Sequence, residues 1–91
     1  MPARVDSNQP EIVAALRKAG ATVQHLHMVG KGCPDLLVGF RGRNFLLEIK
    51  SPGGRMTPAE QRFFDEWSGQ VSIVCTIEQA LAAIGAAEYV T

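Results

Sequence analysis

Ninety-one residues suffice for one domain but for little hidden core, so a self-association surface would help the chain, and 46% hydrophobic with 20% charged residues excludes disordered and fibrous classes. No apolar run approaches the roughly 18 residues of a membrane span, and residues 1–6 lack the apolar stretch of a secretory signal, which points to the cytoplasm of a bacterial or phage-infected cell. Nine basic and nine acidic residues cancel, yet residues 12–55 hold seven basic side chains against two acidic ones and residues 56–91 one against five, an asymmetry able to turn one basic face towards a polyanion.

In chain order, Asn8 followed by Glu11 resembles a capping box, Pro10 suits a first helical turn, and Ile12, Val13, Leu16 and Ala19 form a stripe that stops at Gly20. The segment from Ala21 to Met28 reads as a strand closed by the loop Gly30-Lys31-Gly32-Cys33-Pro34. Leu36 to Phe40 and Phe45 to Lys50 are two further strands, joined by a hairpin connection of Arg41, Gly42, Arg43 and Asn44. Thr57-Pro58-Ala59-Glu60 combines an N-cap, a first-turn proline and a capping-box glutamate, opening a helix that runs to about Trp67 and packs Phe63, Phe64 and Trp67 into the core. Val71 to Cys75 is a fourth strand, reached through that helix by a parallel crossover, and Thr76 caps a last helix running to Ile84. The expected fold is α/β, a mixed four-stranded sheet flanked by helices in the order α-β-β-β-α-β-α, as one domain over residues 1–91.

Within this frame the charges are misplaced for a plain sheet. Residues i and i+2 share a strand face, so Glu48 and Lys50 project together while Leu47 and Ile49 project oppositely. A carboxylate on a covered strand costs on the order of several kcal/mol unless it is paired or bound to a cation. The hairpin brings Asp35 alongside Glu48 and Lys50. Two carboxylates and an ammonium at a sheet end form a hard-oxygen site suited to magnesium, with the Ile49 carbonyl as a further donor, and phosphodiester hydrolysis is the chemistry that suits the set. The simpler alternative is a same-face salt bridge between Glu48 and Lys50, with Asp35 as a turn residue.

Pro34-Asp35 followed by Glu48-Ile49-Lys50 resembles the signature of the PD-(D/E)xK nuclease superfamily, whose restriction-endonuclease-like core has this element order. More narrowly, residues 32–36 and 45–51 followed by residues 57–61 resemble the VRR-NUC branch, in its small stand-alone phage and bacterial form. The resemblance implies an endonuclease dependent on Mg2+ or Mn2+, in which Asp35, Glu48 and the Ile49 carbonyl bind metal and Lys50 helps activate water. It also implies a first-helix acid at Glu11, which has a competing role in helix capping, and places Gln61 on the second helix facing the site. Homodimers that cut branched DNA such as Holliday junctions are the implied form, and a catalytically silent DNA-binding or protein-interaction module is the alternative.

Lys31, Arg41, Arg43, Arg55 and Arg62 are candidates for backbone phosphate contacts. His25 and His27 have a chelating spacing but no completing ligands, and Cys33 and Cys75 suggest neither a disulfide nor zinc. Gly30-Lys31-Gly32 lacks the Walker spacing, so nucleotide binding there is rejected.

Overall fold

A computed structural model describes residues 7–89; the first six residues, read above against a signal peptide, and the last two lie outside it. The elements are α1 (Gln9–Lys18), β1 (Thr22–His25), β2 (Leu36–Phe40), β3 (Arg43–Ile49), α2 (Pro58–Glu66), β4 (Ser72–Val74) and α3 (Ile77–Ala83), followed by a short 3-10 helix at Ala87–Tyr89. This is the expected order, in one sheet β1-β2-β3-β4. The first two pairings are antiparallel and β3 pairs with β4 in parallel, so α2 forms the crossover.

The core lies on one face. Ile12, Val13 and Leu16 of α1 meet alternate strand residues Leu36, Val38 and Phe40, then Phe45, Leu47 and Ile49, with Val74, Leu81 and Ile84 completing the layer. Each fully buried aliphatic contributes about 1.5–3 kcal/mol, so this face carries most of the hydrophobic stabilisation. Its far face is covered thinly. Leu37 and Ile73 remain partly exposed there, and α2 buries no residue completely.

The aromatic stripe of α2 is therefore a correction. Phe63 stacks on Trp67 with ring centroids 4.8 Å apart, while Phe64 and Trp67 stay in solvent, Trp67 at 47% exposure. Glu48 and Lys50 stand on the far face of β3 where a core would place leucines, so the helix covers charges instead of closing onto apolar side chains. It ends at Glu66, and Trp67 adopts extended backbone as its C-cap.

Boundaries shift for local reasons. Arg41 (φ 51°) and Gly42 (φ 77°) both adopt left-handed backbone, which makes a two-residue type I′ turn and draws Arg43 and Asn44 into β3. β1 stops at His25 because the chain turns at once, with Val29 N–H donating to the Leu26 carbonyl. Asn8 precedes α1 but makes no side-chain cap. Its amide donates instead to the carbonyls of Lys50 (3.1 Å) and Cys75 (2.8 Å), which lie just beyond β3 and β4. That contact fastens the start of α1 to two strand ends.

Candidate active site

The β2–β3 register explains how the charges meet. Leu36 pairs with Leu47, so continuing the ladder sets Asp35 against Glu48 and Pro34 against Ile49. Hydrogen-bonded pairs alternate from the tight turn, which makes Asp35 and Glu48 a non-hydrogen-bonded pair, the closer of the two antiparallel types. At the next position Pro34 has no N–H to give the Ile49 carbonyl. Asp35 Oδ2 accepts the Ile49 N–H at 2.7 Å. One strand-opening Pro-Asp pair thus anchors a carboxylate on the β3 backbone and deprives the Ile49 carbonyl of its ladder donor.

Glu48 is 2% exposed, and its Oε2 is buried without a hydrogen bond among the described residues. Lys50 Nζ stands 3.4 Å from that oxygen, too long for a strong charge-assisted bond. Burial, then the neighbouring charges of Asp35 and Glu60, push the Glu48 carboxyl up to about 8. Asp35 is also raised, chiefly by burial, although the Ile49 N–H holds its carboxylate form partly in place. At neutral pH without a cation, Glu48 therefore keeps its proton beside Asp35.

The partner of Lys50 was not anticipated. Its Nζ lies 2.7 Å from Glu60 Oε1, an oxygen that also accepts the Thr57 N–H at 2.8 Å. Thr57 Oγ1 in turn accepts the Glu60 N–H, completing the expected capping box. Burial alone would lower the Lys50 ammonium, but the bond to Glu60 and the charges of Glu48 and Glu60 raise it. Conversely, burial would raise Glu60, and Lys50 with the Thr57 N–H brings it below its ordinary value. The capping carboxylate is simultaneously a site residue.

Among the described residues, two expected members make no hydrogen bond or ion pair to this cluster. Gln61 is exposed and donates to Asp65 Oδ1 at 2.9 Å, one helical turn along its own helix. Glu11 is exposed on the first turn of α1, in the layer covering the opposite face of the sheet. The basic residues also divide. Lys31, Arg55 and Arg62 are exposed on the loops and helix around the site end of the sheet. Arg41 and Arg43 occupy the hairpin end, seven strand residues away, where Arg41 pairs with Glu88 at 2.7 Å and Arg43 lies over Phe45. They stand apart from the carboxylates, because a strand of this length spans roughly 20 Å.

His25 belongs to the α1 face, where Nδ1 lies 3.3 Å from Gln9 Nε2 and the His27 ring stands 6.2 Å away. A groove of about 470 Å³ between α1 and β1 adjoins them, on the side of the sheet away from the carboxylates. Among the described residues no three His, Cys, Asp or Glu side chains are disposed as a metal cage. A cation here would rely on Asp35, Glu48 and the Ile49 carbonyl, with water filling its remaining positions, as magnesium sites commonly do. The orphaned Glu48 oxygen and the released Ile49 carbonyl fit that donor set. No protein-family model, curated protein or solved structure matches the chain.

Proposed function

We propose that the chain is a metal-dependent DNA endonuclease that acts as a homodimer on branched DNA, of the VRR-NUC kind its motifs resemble. The observation that carries this reading is the buried Glu48 carboxyl with an unsatisfied oxygen, beside Asp35 and Lys50. Folding alone disfavours such a group, whereas a divalent cation would compensate it. A bound Mg2+ or Mn2+ would neutralise phosphodiester charge and make the attacking water more acidic. Asp35 and Glu48 would hold it, with the Ile49 carbonyl as the neutral donor. Lys50, held by Glu60, orients the attacking water and offers positive charge to the phosphate. The water oxygen bonds to phosphorus, its proton passing to solvent, as the bond to the departing sugar oxygen breaks and that oxygen takes a proton from water. For the dimer, the exposed apolar face of Leu37, Phe64, Trp67 and Ile73 supplies a contact surface.

Incubation of purified protein with four-way junction, flap and linear duplex, with and without Mg2+ or Mn2+, tests the reading. Metal-dependent cleavage that disappears in Asp35→Asn and Lys50→Ala is expected. Undiminished cleavage by Lys50→Ala would remove the proposed mechanism. A second reading, a DNA-binding module without catalysis, draws on the close pairing of Lys50 with Glu60, which already satisfies the ammonium. Binding without cutting under any divalent metal would select it.

A further inference from the structure

The loop between β1 and β2 is fastened to the site at both ends. It leaves the sheet at Leu26 and returns at Asp35, and Leu26 N–H donates to the Asp35 carbonyl at 2.8 Å. Two successive turns stiffen it, Val29 N–H to Leu26 O at 2.9 Å and Cys33 N–H to Gly30 O at 3.0 Å. Gly30, Lys31 and Gly32 are all left-handed, at φ 75°, 57° and 76°. Gly32 also abuts the first turn of α2 so closely that a Cβ there would collide with the Ala59 carbonyl. The loop therefore has a fixed shape and a fixed position relative to Asp35 and Glu60.

At its apex Met28 is 86% and Val29 61% exposed, flanked by the exposed side chains of His27 and Lys31. Single exposed apolar residues are ordinary, but an adjacent pair on a pinned loop, outside the core cluster and bordered by polar side chains, is open to a partner. We propose that Met28 and Val29 form an apolar wedge that enters the weakened base stack at a DNA branch point and opens it, while Lys31 and His27 meet the flanking phosphates. The proposal rests on the reading of the site as one that acts on DNA, and deepens it by assigning structure selectivity to this loop.

The chemistry favours DNA over other occupants. Methionine and aliphatic wedges enter base steps and hold them open, at a cost that is least where stacking is already broken. A second copy would need a far larger patch, about 800 Å² per partner in a standard interface. A membrane surface would need a longer apolar face than two residues.

The test uses four-way junctions with 2-aminopurine at the branch point and linear duplexes with it at mid-length, in EDTA so that nothing is cut. Wild-type protein is expected to raise junction emission by about twofold or more as the base unstacks, and to leave the duplex unchanged. The Met28→Ser/Val29→Ser double variant, altered only at exposed positions, is expected to lose the rise and keep its affinity for linear duplex. Lys31→Ala is expected to weaken binding to both DNAs and reduce the salt dependence. An equal rise with the double variant, or none with wild type, would overturn the wedge. So would self-association, or binding to phosphatidylserine vesicles, that the double variant abolishes while junction emission is unaffected. Junction unstacking without cleavage in any divalent metal would leave the wedge standing and remove the nuclease reading. Cleavage of junctions with no emission change would do the reverse.

Discussion

Glu48 converts a single buried carboxyl into a pH dependence. Its folded value near 8 lies above the ordinary 4.5, so between these values the folded state holds a proton that the unfolded state has released. Metal-free stability should therefore fall as pH rises from about 4.5 to 8, by at most about 1.4 kcal/mol per pH unit for one group, then level off. Asp35 is shifted in the same direction. Glu48→Gln should flatten the profile and raise metal-free stability above pH 7, and denaturant titrations at several pH values with EDTA will read it. An unchanged slope in Glu48→Gln would show that another group titrates. Asn8 acts at the same scale with the opposite sign. Asn8→Ala leaves the Lys50 and Cys75 carbonyls without their donor, for an expected loss of about 1–3 kcal/mol in the same titrations.

At the scale of elements, α2 is held to the sheet by its first turn more than by its aromatics. Thr57 caps it and Glu60 ties it to Lys50, while Gly32 lets the β1–β2 loop approach its backbone. Thr57→Ala should cost about 1 kcal/mol through the lost cap. Glu60→Gln can still accept the Thr57 N–H and keep the cap, but it loses the largely buried ion pair with Lys50, so the fold should survive at a cost of about 1–3 kcal/mol. Removing the charge next to Lys50 should nevertheless lower kcat by roughly tenfold with little change in KM, since binding and positioning separate there. An unchanged kcat in Glu60→Gln would reduce Glu60 to a structural role. The sequence shows this capping box openly, and for that reason conceals the site role: one carboxylate oxygen serves both. Adjacent helical positions differ by about 100° in direction, so Gln61 and Glu60 could be told apart only once the sheet-facing side of α2 was known.

For the whole molecule, the two faces of one sheet divide the work. α1 and α3 enclose the apolar layer, and the opposite face carries the charged cluster, α2 and a band of exposed Leu37, Phe64, Trp67 and Ile73. Trp67→Lys should leave the fold intact, since Trp67 lies outside the core, and should shift the proposed dimer to monomer in sedimentation velocity. A wild-type monomer at all concentrations would remove the dimer from the proposal. None of the described helices is long and apolar enough to cross a membrane.

Periodicity and punctuation determined the element order. Strand alternation put Glu48 and Lys50 on one face, Pro34 and the Arg41-Gly42 region framed the hairpin, and its short connection brought Asp35 towards them; these are local properties that survive without knowledge of the rest of the chain. Tertiary structure alone decided the others. Which face received the core left the α2 aromatics outside it and turned Glu60, not Gln61, onto Lys50. Where the strands ended left two carbonyls for Asn8. Long-range packing sets these outcomes because a side chain with several possible partners takes the one that the fold brings within hydrogen-bond reach, and neither spacing nor propensity records that distance.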